Sequence, residues 1–350
     1  MGRGGLVPKT ALITGITGQD GAYLSKLLLA KGYRVVGTLR HGTSPNLARL
    51  KYLDAHRDVE LIDLELLEVT GLIRAIEKHK PDEIYNLAAQ SMVSLSAEEP
   101  IYTLDVNALG PARLLEAVRL AKPDARVYQA SSSEMFGIPN ESPQTETTTL
   151  RPRSPYAVGK AAAHWLVTNY RELHGLYAVS GILFNHESPL RGRQFVTRRI
   201  TLGLAEVARG KRDVLTLGNL DARRDWGCAE EYVEGMWVML QQERPTDYVL
   251  ATGKTHAVRE FAEIAARELG LDLGWFGIGI EEIGVDSKSG RIVVKVDPRH
   301  FRTVDIQSNV GSAKKAREEL GWSCKIDVMQ LAAAMAMADD RRVCENDCEI

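Results

Sequence analysis

The sequence predicts an α/β protein built on a doubly wound parallel sheet, followed by a smaller substrate-binding region. Three observations carry this. From Lys9 to Ser131 short apolar runs alternate with longer amphipathic stretches, the pattern of strand–helix–strand units feeding a parallel sheet. A glycine-rich turn follows the first run directly. Beyond about Asn185 the alternation breaks into Gly- and Arg-rich loops around 190–193 and 218–227 and a Gly-rich stretch at 270–290.

Strands are expected at 11–14, 34–37, 59–62, 83–87, 126–130 and 178–184, where β-branched and aromatic residues cluster. Between them, Tyr23, Leu24, Leu27 and Leu28, and later Leu114, Leu115 and Val118, recur at helical spacing, so each segment turns one apolar stripe to a sheet face. Helices are expected at 198–208, 230–241, 258–269, 312–320 and 328–341. The predicted organisation is a leader at 1–8, a nucleotide-binding domain at 9–185, a mainly substrate-binding region at 186–341 with part of it crossing back to the sheet, and a flexible tail at 342–350.

A chain of 350 residues that is 44% hydrophobic and 26% charged excludes disorder and fibrous structure. A formal net charge of −2 leaves no positive field to draw in nucleic acid or an anionic membrane. No stretch reaches the roughly 20 apolar residues of a bilayer span, and Met1 to Pro8 contain no secretory core, so a cytoplasmic protein is expected. Leu6 breaks the myristoylation pattern that Gly2 would open. Cys228, Cys324, Cys344 and Cys348 are too few and too irregularly spaced for a disulfide framework or a zinc site; no metal is expected, and Cys344 and Cys348 read as free thiols.

Ligands of such sheets lie beyond the carboxyl ends of the strands, so the residues there are the ones to read for chemistry. Gly15, Gly18 and Gly21 follow the first strand and open the first helix. They permit the tight turn and bring backbone N–H groups to a pyrophosphate at the helix N-terminus. After the second strand stands Gly37-Thr-Leu-Arg40-His41, without the acid that bonds a ribose 2′-hydroxyl in NAD sites, so Arg40 points to NADP. Asp63 and Leu64 are placed to meet the adenine. Leu87, Ala88, Ala89, Gln90 and Ser91 are placed to let the cofactor pass over the sheet.

Tyr156 and Lys160 are one helical turn apart and share a face. An ammonium near the phenol, with a positive nicotinamide ring, is expected to lower the tyrosine pKa and make Tyr156 a general base. Ser132, after the fifth strand, is placed to hydrogen-bond a substrate hydroxyl. Glu134 supplies a second base beside this redox set, able to take a proton α to a new carbonyl, which argues for elimination coupled to redox.

The chain resembles the GDP-mannose 4,6-dehydratase family among the extended short-chain dehydrogenases/reductases, a Rossmann-type fold. The resemblance rests on Ile13-Thr-Gly-Ile-Thr-Gly-Gln-Asp-Gly21, Asn86 to Ser91, Pro152-Arg-Ser-Pro-Tyr-Ala-Val158, Gly181-Ile-Leu-Phe-Asn-His-Glu-Ser-Pro189, Phe195 to Arg198, Arg224-Asp-Trp-Gly227 and Leu320-Gly-Trp322. It implies a tightly held NADP touched by Gly15, Ile16, Thr17, Gly18, Gln19, Asp20, Gly21, Tyr102, Lys160, His186 and Arg191 as well as the residues named above. It implies Ser132, Glu134, Tyr156 and Lys160 as the catalytic set, and a GDP-sugar held by Ser91, Ser132, Glu134, Asn185, Arg224 and Arg302. The expected activity is that of a hydro-lyase turning GDP-mannose into its 4-keto-6-deoxy product, in a homo-oligomer, dimer or tetramer. The chain departs from the family pattern in having Arg40-His41 where two arginines usually reach a neighbouring subunit's cofactor, Met92 where His is usual, and Arg302-Thr-Val-Asp305 in place of Arg-Pro-x-Glu. Alternatives are a dehydratase of another GDP-sugar such as a GDP-manno-heptose, a nucleotide-sugar 4-epimerase or 4-reductase, and a noncatalytic NADP-binding sensor.

Overall fold

The computed structural model describes residues 8–42, 44–299, 301 and 309–346. β1 (Thr10–Thr14), β2 (Arg34–Leu39), β3 (Glu60–Asp63), β4 (Glu83–Asn86), β5 (Arg126–Ser132) and β6 (Ala178–Leu183) run parallel in one sheet. A late strand, Tyr248–Leu250, joins it parallel to β6, and the order runs from that strand through β6, β5, β4, β1 and β2 to β3. β1, β4 and β6 are buried at every position, which is why helices must cover both faces.

The winding reverses between β1 and β4, and this switch point opens a crevice beyond their carboxyl ends. A buried polar ladder fixes its floor. Thr14 Oγ1 donates to Asn86 Oδ1 at 2.6 Å while accepting from the backbone N–H groups of Leu87 and Ala88, and Asn86 Nδ2 donates to Gln129 Oε1 at 2.6 Å. The ends of β1 and β4 are thereby tied to each other and to the middle of β5.

The expected later helices form as Val196–Ala208, Ala229–Met239, Val258–Glu268, Lys314–Leu320 and Val328–Glu345. The Gly-rich stretch expected at 270–290 is instead part of a four-stranded sheet, in which Leu273–Phe276, Ile283–Asp286, Ile292–Val296 and Leu215–Leu217 lie in that order. Its strands and three of these helices enclose a second core containing Ile200, Leu204, Trp226, Phe261 and Met335. Inside it one carboxylate serves two guanidinium groups: Asp339 lies 2.8 Å from Arg198 and 3.0 Å from Arg342, and also accepts from Thr201.

The tail does not begin at 342 as expected. The last helix runs to Glu345 because Arg342 and Val343 are buried and hold its final turn against the body. No helix among the described residues is long and apolar enough to cross a membrane.

Candidate active site

Two cavities meet at the switch point. The larger, about 600 Å³, runs from the turn after β1 past the end of β2 and is lined by Gly15, Thr17, Gly18, Arg40, Leu64, Tyr102 and Arg191 among others. Gly15 has φ +73°, and a Cβ there would stand 2.8 Å from the Ala88 nitrogen, so only glycine lets the turn lie this close to the loop after β4. α1 (Gln19–Ala30) starts on Gly18 with no side-chain cap, leaving its opening N–H groups for a ligand. Bare turn, uncapped helix and three flanking guanidiniums, Arg40, Arg49 and Arg191, fit a dinucleotide with several phosphates.

The smaller cavity, about 380 Å³, brings together Ser132, Glu134, Tyr156, Lys160, Asn185 and His186, and shares Asp20, Ser91 and Arg191 with the first. Its walls follow from local structure. Ser132 ends β5 and its hydroxyl accepts from the Glu134 N–H at 3.2 Å, capping the 3₁₀ turn Ser133–Phe136 and aiming Glu134 inward. The Pro155–His174 helix opens on Ser154, whose hydroxyl accepts from the Ala157 N–H at 3.1 Å, with Pro155 in the first turn. The next turn of this helix carries Lys160 on the face that bears Tyr156.

The electrostatics differ from the expectation. The Lys160 Nζ donates to the Ala130 carbonyl at 2.8 Å and stands 5.9 Å from the Tyr156 ring centre, and it is not what sets the phenol. Tyr156 keeps some surface open to the cavity but sits deep in the fold, and that desolvation pushes its pKa up to about 12. A hydrogen bond from Ser132 pulls the other way, Glu134 adds to the rise, and Arg191 opposes it. Burial pushes Lys160 down to about 8, against the pull of Asp20. Asp20 itself is held at about 2. Burial alone would raise it, but the charge of His186 and its hydrogen bond, helped by Gln19 and Arg191, more than offset that.

A sequence model of the family described as GDP-mannose 4,6 dehydratase matches residues 12–335. The chain belongs to the GDP-mannose 4,6-dehydratase family. It is 51% identical over 338 residues to a GDP-mannose 4,6-dehydratase of Sinorhizobium fredii, covering 95% of this chain and 96% of that protein. To a GDP-mannose 4,6 dehydratase of Drosophila melanogaster it is 45% identical, covering 95% and 86%. In fold it is similar to UDP-glucose 4-epimerase from Thermotoga maritima, with a TM-score of 0.80 at 19% identity over 95% of this chain and 99% of that one. It is also similar to RMD from Pseudomonas aeruginosa complexed with NADPH, with a TM-score of 0.75 at 22% identity over 95% and 99%.

Against this GDP-mannose 4,6-dehydratase scaffold most of the expected site residues converge. Gly15, Thr17, Gly18, Gln19, Asp20, Gly21, Arg40, Leu64, Leu87, Ala88, Ala89, Ser91, Tyr102 and Arg191 line the larger cavity, while Lys160 and His186 line the smaller. Four do not reach either. Ile16 is fully buried and fills the space over Gly37, so it supports the turn from beneath. Asp63 is exposed and its place on the wall is taken by Glu65. Gln90 spends its amide on Thr103 and the Met92 backbone. Arg224 lies on a short strand paired with His256 and donates to the Arg223 carbonyl. Arg302 and Cys348 lie outside the described residues.

Sequence reasoning missed Arg49, which donates to the Thr17 carbonyl at 3.2 Å and the Leu190 carbonyl at 2.7 Å, tying the phosphate loop to the turn after β6. It also missed Phe195, whose ring carries the Arg191 guanidinium at 3.6 Å. No local pattern marks Arg49, because its partners come from distant segments; Phe195 stands four residues after Arg191, in a loop where that spacing carries no helical signal. Met92 stands on the wall of the smaller cavity.

Proposed function

We propose that the protein removes water from GDP-mannose to give GDP-4-keto-6-deoxymannose, with NADP as its cofactor. The observation that carries this is a carboxylate, Glu134, in the same cavity as Tyr156, Lys160 and Ser132, in a chain of the GDP-mannose 4,6-dehydratase family. A simple carbinol dehydrogenase needs the last three and has no task for a second base. In this reading Tyr156 takes the O4 proton with help from Ser132, Lys160 holds the site's cation beside it, and Glu134 removes the C5 proton acidified by the 4-ketone and hands a proton to the C6 hydroxyl, which leaves as water; C5 later regains a proton from a group in exchange with solvent. When bound, the nicotinamide accepts hydride from C4 and returns it at C6. Asn185 and Ser91 are read as sugar-nucleotide contacts, and Arg302 is proposed as a further one by family pattern.

The test uses substrate labelled at the positions that each base touches. GDP-mannose deuterated at C4 should give product deuterated at C6, and unlabelled substrate in D₂O should gain deuterium at C5, both read by mass spectrometry and NMR. Deuterium from C4 appearing in free reduced cofactor instead would replace the dehydratase with a reductase. Met92 on the cavity wall favours one second reading, a dehydratase of another GDP-sugar such as a GDP-manno-heptose, and running the same assay with that sugar separates the two.

NADP rather than NAD is proposed from Arg40, which lines the larger cavity beside Tyr102, its Nη1 donating to the Tyr102 hydroxyl at 2.9 Å. Arg40→Ala should weaken NADP binding much more than NAD binding, because a guanidinium gains charge-assisted bonds only from the extra phosphate. Equal loss in a titration of both cofactors would remove Arg40 from that role. We further propose a cytoplasmic homo-oligomer. Ile101, Leu109, Val158, Trp165 and Leu173 are exposed on adjoining helices, and a second copy is the occupant proposed for them.

A further inference from the structure

His186 turns both ring nitrogens to acceptors. Nδ1 lies 2.8 Å from the Phe184 carbonyl oxygen and Nε2 lies 2.9 Å from Asp20 Oδ2. A carbonyl and a carboxylate can only accept, so each contact requires a proton on nitrogen, and a neutral imidazole carries one. The other way to satisfy the pair, a protonated Asp20 donating to the ring, is disfavoured because Gln19 Nε2 already donates to the Asp20 carboxylate and the Arg191 charge acts on it. The ring is buried and lies face to face on Tyr232, with centroids 4.7 Å apart and planes 18° apart, and Tyr232 is braced edge-on by Trp322. The charged and titratable groups around it are thus Asp20, Arg191 and Tyr232.

We infer that His186 is a fixed imidazolium, and that its bond to Asp20 is a charged latch that holds the phosphate loop in its binding shape before any cofactor arrives. The latch spans the boundary of the two cavities, because Asp20 and His186 both line the catalytic cavity and Asp20 lines the larger one as well. A neutral tether runs beside it. Gln19 Nε2 donates to the His186 carbonyl at 3.1 Å, and Ser188 Oγ donates to Gln19 Oε1 at 2.7 Å. That tether suffices to attach the loop. The ion pair adds a defined rotamer for Asp20, and a buried pair of this kind is retained for position more readily than for stability. His186 acts here as a positioning residue, and the inference rests on the cofactor reading only for where the benefit is felt.

Two measurements test it. In protein labelled with ¹⁵N at histidine, both His186 ring nitrogens should resonate in the protonated range at pH 7.5, where an ordinary histidine is mostly neutral. Asp20→Asn should return one of them to the unprotonated range. His186→Gln can still donate to Asp20 but carries no charge, and it should weaken NADP binding by about 10–100-fold, the worth of a charged hydrogen bond. The ring-nitrogen shifts, and their response to Asp20→Asn, are the readout that a merely structural histidine would not move. An unprotonated ring nitrogen in the unmodified protein overturns the imidazolium whichever cofactor binds. Unchanged NADP affinity in His186→Gln overturns the latch.

Discussion

Glu134→Gln should still oxidise the sugar at C4 but lose dehydration by about 10²–10⁴-fold, the usual worth of a positioned general base. The substitution keeps the size of the side chain, and the bond that holds the turn in place, from the Glu134 N–H to Ser132, is made by backbone and survives it. The half-reaction that does not need the carboxylate is therefore preserved. The check is a single-turnover experiment following nicotinamide absorbance on mixing, with mass spectrometry of the sugar. A reduced cofactor that accumulates while the sugar retains its oxygen at C6 is the expected signature. Dehydration at the unmodified rate would remove Glu134 from the chemistry.

Tyr156→Phe should abolish both halves, because no C5 proton becomes acidic until C4 has been oxidised. A loss of about 10²–10⁴-fold is expected in C4 oxidation itself, with dehydration falling in parallel. The chain alone holds this phenol high, at about 12, chiefly by burial. It can act as a base only once a positive charge stands near it, so the pH profile of C4 oxidation in the native enzyme should break at lower pH than the free phenol would. A Tyr156→Phe variant that still reduces its cofactor on mixing would shift the first proton transfer to another group, with Ser132 the nearest candidate by hydrogen bond.

The sheet, and the meeting of Ser132, Glu134, Tyr156 and Lys160 in one cavity, were readable because each rests on local pattern. Strands buried on both faces, such as Thr10–Thr14 with its central Ala-Leu-Ile and Ala178–Leu183, cannot alternate and stand out by their apolar content. Tyr156 and Lys160 declare themselves by one-turn spacing on a helix with a clear Ser-Pro start. What local pattern does not encode was missed or misplaced. The small sheet is made of strands of three to five residues separated by more than fifty positions at its Leu215–Leu217 edge, so its pairing is invisible along the chain. The neighbours of Gln90 and Arg49 are set by tertiary packing, which turned an expected cofactor contact inward and brought an unremarked arginine to the cavity wall. The lowering of the Tyr156 pKa was reasoned from Lys160 together with a nicotinamide ring, and in the chain alone depth in the fold raises it.

The late strand at Tyr248–Leu250 gives the protein a particular order of assembly during synthesis. When the ribosome has delivered residues only as far as β6, that strand is an unpaired sheet edge, with Gly181, Ile182 and Leu183 offering their backbone groups to any passing strand. The edge closes only after more than sixty further residues have emerged, a span in which the nascent chain relies on chaperones or on speed to avoid edge-to-edge association. A chain that stops short of Leu250, by a premature stop codon or a proteolytic nick, therefore loses more than its later helices and small sheet, because it is left with an uncovered sheet edge.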